Sequence, residues 1–116
     1  MSAALPSRET SAPRGYAVVT PNAVKEARST DDAVLLLDVR TPAEYHSHRI
    51  PGARLLPVQE LAARWRELDP ATHTICICEH GIRSEAAADF LARQGFARVA
   101  TMRGGMVRWR WAVDRD

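Results

Sequence analysis

Ile75-Cys76-Ile77-Cys78-Glu79-His80-Gly81-Ile82-Arg83-Ser84 runs from an apolar strand, through a short loop, into the first turn of a helix. The strand is predicted over 72–78. The helix, rich in alanine, is predicted over 83–94, with Gly95 as the residue that ends it. In an open parallel sheet, ligands bind beyond the carboxyl ends of the strands, where loops lead into helices. Cys78 sits at such a place. The first turn of the helix offers unpaired N–H groups and the positive end of its dipole. A loop containing Gly81 can gather successive amides around one point, and Arg83 adds a cation. That setting favours a reactive thiolate. On a strand alone, Cys78 would read as a core residue, since free cysteine is among the most buried types. Strand end, glycine loop, arginine and helix together read as a nucleophile.

The same alternation continues on both sides. Residues 1–15 read as a flexible tail broken by Pro6 and Pro13, and residues 16–116 as one domain. Tyr16 to Val19 is a short strand. Thr20-Pro21 marks the start of a helix over 22–28, as a cap followed by proline at the first helical position. Ala33 to Asp38 is an apolar run closing on a carboxylate, the pattern of a strand buried on both faces. Ile50-Pro51-Gly52-Ala53 breaks the chain before a strand over 54–56. Val58, Leu61, Ala62, Trp65 and Leu68 have the spacing of one buried helical stripe within 57–68. A last strand over 99–102, a turn at Gly104-Gly105 and a terminal helix over 106–113 complete the chain. Strands alternating with helices predict an α/β fold with a mostly parallel sheet covered on both faces.

Composition narrows the function. A chain of 116 residues, 46% hydrophobic and 26% charged, suits one globular domain. The longest apolar run is Ala33 to Leu37, too short to span a bilayer, and the first fifteen residues lack the apolar region of a secretory signal. The expectation is a cytoplasmic protein without a membrane partner. Net charge is +2 with acids interleaved throughout, so no nucleic-acid partner is expected. Arg108-Trp109-Arg110-Trp111 reads as packing near a helix end. Cys76 and Cys78 are too close for an ordinary disulfide. With His80 they lack the usual zinc spacing, so neither metal nor cofactor is expected. His46, His48 and His73 read as solvated loop residues.

Four separated pieces of the sequence resemble the rhodanese family: Asp38-Val39-Arg40 with Glu44-Tyr45, Ile50-Pro51-Gly52-Ala53, Cys78 to Ser84, and Gly104-Gly105 with Trp109. The resemblance implies a rhodanese-like, five-stranded, mostly parallel sheet flanked by helices. It also implies a sulfurtransferase that moves sulfane sulfur from a small donor such as thiosulfate, through a Cys78 persulfide, to a thiol or cyanide acceptor or a sulfur-accepting protein. By position, Cys78 accepts sulfur and Glu79, His80, Gly81, Ile82, Arg83 and Ser84 line the substrate. Asp38 and Arg40 support the site from the neighbouring strand end. Tyr45, Pro51, Gly52, Gly105 and Trp109 maintain the fold.

Two departures carry expectations of their own. His48 stands where relatives commonly have a glycine; if that glycine serves a left-handed turn, histidine tolerates the turn less well. Glu79 follows the nucleophile directly, which predicts a carboxylate repelling a dianionic donor. Two alternatives remain. A rhodanese-fold Cys-Arg phosphatase or arsenate reductase would have one more residue between cysteine and arginine than the four found here. A non-catalytic interaction module would typically lose the cysteine that this chain keeps.

Overall fold

The computed structural model of the protein describes residues 15–116; the predicted tail therefore lies, apart from Gly15, outside the described residues. Five strands form one parallel sheet: β1 (Ala17–Val19), β2 (Leu35–Asp38), β3 (Arg54–Leu55), β4 (Thr74–Ile77) and β5 (Val99–Met102), in the order β1-β5-β4-β2-β3. The helices are α1 (Pro21–Thr30), α2 (Pro42–Ser47), α3 (Val58–Arg64) and α4 (Ile82–Arg93), with single 3₁₀ turns at Trp65–Glu67 and Met106–Arg108.

The strand periodicity of two divides the core. Leu36, Ile75, Ile77, Ala100 and Met102 face α1 through Val24 and Ala27. Leu37, Cys76, Cys78 and Val99 face α3 and α4 through Leu61, Ala87, Ala88 and Leu91. Both faces of β4 are therefore apolar, as an interior parallel strand requires. From β2 the chain leaves toward β3, and from β4 it leaves toward β5. These neighbouring strands open a crevice between their carboxyl ends, where Asp38 pairs in register with Ile77.

The predicted elements form close to their expected limits. Thr20 caps α1, its hydroxyl accepting from the Ala23 N–H at 3.1 Å. Two segments differ. Residues 42–47 form α2, which the apolar pattern does not announce because none of its residues is buried. The signal is local: Thr41 and Glu44 make a reciprocal capping box, with Pro42 at the first helical position. The predicted terminal helix over 106–113 is a single 3₁₀ turn followed by extended chain. From Arg108 to Asp114 exposed residues alternate with half-buried ones, a period of two that suits an extended segment rather than a helix. Asp114 closes the segment by exchanging backbone hydrogen bonds with Arg49 at 2.9 and 3.0 Å. Trp109 and Trp111 pack edge to face within it.

The turn after β5 holds the fold to its loop. Gly105 has φ +75° and ψ −164°, a region that essentially only glycine enters. A Cβ there would lie 2.3 Å from the Glu79 carbonyl oxygen. The close approach lets the Met106 N–H reach the Cys78 carbonyl at 2.8 Å and the Val107 N–H reach that of Glu79 at 3.2 Å. Gly95 also has positive φ, +98°, but a Cβ there would meet nothing within 4 Å. Gly105→Ala is expected to lower stability by about 3 kcal/mol or more, from backbone strain plus overlap, and Gly95→Ala by only about 1 kcal/mol. Urea denaturation of the two variants checks the difference.

Candidate active site

Cys78 follows β4 directly, and its side chain is buried beneath the loop that enters α4. Gly81 occupies the N-cap position of α4 with φ +97° and has no side chain to accept the first-turn amides. The sulfur takes that role. Cys78 Sγ receives the Gly81 N–H at 3.1 Å and the Ser84 N–H at 3.3 Å. Ser84 is the third residue of the helix, the position whose amide a capping side chain ordinarily satisfies. The Ser84 hydroxyl stands 3.4 Å from Sγ and 2.7 Å from the Thr101 hydroxyl on β5. Thr101 can thus donate to Ser84 while Ser84 donates to an anionic sulfur. Only donors converge on this sulfur when it is a thiolate.

The two cysteines differ in setting. Cys76 is wholly enclosed in β4, and burial, with the neighbouring Cys78 adding to it, pushes its thiol up to about 12. Cys78 is equally hidden at 1% exposure, yet it lies under a loop whose surface residues include His80 and Ile82.

Asp38 and Arg40 meet at the carboxyl end of β2. Arg40 is fully buried; its Nε and Nη2 hold the Asp38 carboxylate at 2.9 and 2.7 Å, and Nη2 also donates to the His48 carbonyl at 2.7 Å. Its Nη1 reaches Glu79 Oε1 at 3.2 Å. This ion pair modifies the expectation for Glu79: its side chain is only 23% exposed and is held by Arg40, which it shares with Asp38, so its charge is offset in part. Asp38 and Glu79 in turn raise the Arg40 pKa against the desolvation of its guanidinium. His48 departs from its expectation too. Its φ of −168° and ψ of 148° are ordinary extended backbone, so no left-handed turn is present there.

Arg83 does not aim at the sulfur. Its guanidinium grips Glu44 of α2 in a two-pronged pair at 2.8 and 2.9 Å, joining the first turn of α4 to α2. Glu44, which sequence reasoning did not place in the site, accepts from the Thr41 backbone as well. The Arg83 hydrogen bonds and the capping contacts hold its carboxyl at about 2 despite desolvation. His73 departs as well, being buried at the start of β4 with Arg98 Nη2 3.1 Å from its Nδ1. Burial, and then Arg98, lower its pKa, which favours the neutral imidazole. His46 is exposed and pairs with Asp116. No cluster that could hold a metal is found among the described residues, nor is any of their helices long and apolar enough to cross a membrane.

Comparison with known proteins agrees with this fold. The family model described as rhodanese-like domain matches residues 20–112. A sulfurtransferase of Allochromatium vinosum is 40% identical over 80 residues, covering 69% of this chain and 74% of that protein. The thiosulfate sulfurtransferase GlpE of Pseudomonas putida is 35% identical over 92 residues, covering 79% and 83%. The putative sulfur carrier protein YrkF of Bacillus subtilis is 35% identical over 91 residues, and this chain spans 49% of its length. Among solved structures, a rhodanese-related protein of Thermoplasma volcanium superposes with a TM-score of 0.80 at 29% identity, over 87% of this chain and all of that one.

The Glu44–Arg83 pair yields a pH-dependent prediction. A carboxyl held at about 2, against an ordinary 4.5, stabilises the fold fully above pH 4.5 and loses that contribution as pH falls toward 2. Glu44→Gln keeps the capping geometry but not the charge. It is expected to cost about 1 kcal/mol at pH 6, a modest figure for a partly exposed pair. The difference from wild type should shrink toward zero near pH 2. Urea titrations across that range check it.

Proposed function

The chain belongs to the rhodanese-like domain family, and on that premise we propose that it is a sulfurtransferase of the thiosulfate type, carrying sulfane sulfur as a persulfide on Cys78. The observation that carries the reading is the convergence of the Gly81 and Ser84 amides on Cys78 Sγ, at 3.1 and 3.3 Å, with the Ser84 hydroxyl beside them. Donors of this kind stabilise an anionic sulfur.

The reaction is ping-pong. The Cys78 thiolate attacks the outer sulfur of a donor such as thiosulfate; the new S–S bond forms as the donor's S–S bond breaks, and sulfite departs with the electron pair. The terminal sulfur of the persulfide keeps one negative charge and lies beneath the loop that the first-turn amides of α4 organise. An acceptor thiolate or cyanide then takes that sulfur and returns the electron pair to Cys78. Every step balances without an oxidant, cofactor or metal.

The Arg40–Glu79 contact lessens the repulsion that the carboxylate beside Cys78 would exert on an anionic donor, with Arg40 shared between Glu79 and Asp38. The Arg83–Glu44 pair favours sulfur over phosphoryl transfer. A phosphatase needs a guanidinium directed at the oxyanion, and here both prongs of Arg83 are engaged by Glu44. The retained cysteine in its donor nest favours an enzyme over an interaction module. Transfer partners are a small sulfur donor and a thiol, with a sulfur-accepting protein as a further candidate.

Cys78→Ser is expected to lower thiosulfate-dependent transfer to cyanide by at least about a thousandfold, because a hydroxyl neither ionises near neutral pH nor carries sulfur. Cys76→Ser is expected to retain most activity. Steady-state kinetics with thermal melts on both variants provides the check; an inactive Cys76 variant beside an active Cys78 variant would reverse the assignment.

A further inference from the structure

On the β5 side of the Cys78 loop, opposite Arg40, lies a cavity of about 480 Å³ lined by Arg103, Gly104, Arg108, Arg110 and Trp111, with Pro21 at the start of α1. Its charge is one-sided. None of the three guanidinium groups has an ion-pair or hydrogen-bond partner among the described residues, and no described lining residue is acidic. Elsewhere in the molecule Arg40, Arg49, Arg54, Arg64, Arg83 and Arg93 each hold a carboxylate. Three unmatched cations facing one concavity repel one another and attract an anion. The N-terminal end of α1, ten residues long, adds its positive dipole end at the rim.

The cavity adjoins the loop that covers Cys78. Gly104, on its lining, has its backbone nitrogen 3.1 Å from the place a Cβ on Gly81 would occupy, and the Gly81 N–H is one of the two amides that reach Cys78 Sγ. The volume exceeds what thiosulfate or cyanide needs and suits a ligand of drug-like size. Trp111, half-buried, supplies an apolar wall.

We propose that this cavity is the acceptor subsite, and that the acceptor is a low-molecular-weight thiol carrying carboxylate or phosphate groups. Arg103, Arg108 and Arg110 hold the anionic groups while the thiol reaches the persulfide on Cys78. The inference rests on the sulfur-transfer reading of Cys78, but the anion site can be tested apart from it.

Two unreactive probes serve: S-methylglutathione for carboxylates and S-methyl coenzyme A for phosphates. Each is titrated calorimetrically into the full chain bearing Cys78→Ser, at low and moderate salt. The expected result is one-to-one binding of at least one probe, weakened about tenfold or more by Arg103→Gln/Arg108→Gln/Arg110→Gln and about threefold by Arg110→Gln alone, with affinity falling as salt rises. Whichever probe binds identifies the anionic group. In turnover, the preference of the wild type for glutathione or coenzyme A over neutral 2-mercaptoethanol should fall about tenfold in the triple variant. Failure of both probes to bind, or binding that survives loss of the arginines, overturns the proposal; a macromolecular acceptor would give the first of these results. Absence of any persulfide after thiosulfate treatment of the wild type, with arginine-dependent probe binding intact, would instead remove the sulfur-transfer reading and leave the anion site standing.

Discussion

The sulfur of Cys78 caps helix α4. Most N-caps supply their own oxygen to the third-residue amide, but Gly81 has none to give, and the Ser84 N–H turns instead to a side chain six residues earlier, at the end of β4. This arrangement makes structural and chemical demands coincide. The same amides that would be orphaned at the helix start hold the Cys78 sulfur in place. Gly81 must be glycine for two reasons: its φ is +97°, and a Cβ would press to 3.1 Å from the Gly104 nitrogen. The loop is short because the helix begins as soon as the sulfur has been reached.

Charged groups around this nest are held in ion pairs. Asp38, Arg40 and Glu79 form a chain from the buried end of β2 to the residue after the nucleophile. Glu44 and Arg83 tie the first turn of α4 to α2. A buried pair such as Asp38–Arg40 contributes little net stability, but removing one partner leaves an expensive unmatched charge, whereas the partly exposed Glu44–Arg83 pair costs less to break. Their value here is positional: they fix the loop from both sides of the crevice between β2 and β4. The unmatched arginines lie beyond, on the β5 side, where Gly104 joins their cavity to the loop.

Much of this was legible in the sequence because it is local. The apolar run ending at Asp38, the Thr20-Pro21 start of α1 and the strand, loop and helix around Cys78 are each read within a dozen residues. What was not legible depends on distance or on a misread period. Arg83 looks from the sequence like a cation for Cys78, yet its partner Glu44 lies 39 residues away. Thr101, which orients the Ser84 hydroxyl, is brought near only by the pairing of β4 with β5. Helix α2 has no fully buried residue and so leaves no hydrophobic rhythm, although its Thr41-Pro42-Ala43-Glu44 capping box could have announced it. The Arg-Trp alternation after Met106 resembles helical packing near a chain end, but its period is two, that of an extended segment.

The central claim is that sulfur rides on Cys78 and not on Cys76, which lies two residues away on the same face of the sheet but is sealed within it, with its thiol pushed up to about 12. The most direct measurement is mass spectrometry of the protein after brief incubation with thiosulfate, with fragmentation of the peptide that holds both cysteines. The account predicts a gain of one sulfur atom, located on Cys78 and removed by cyanide. A sulfur located on Cys76, or no gain while the thiol of Cys78 stays free, would contradict it.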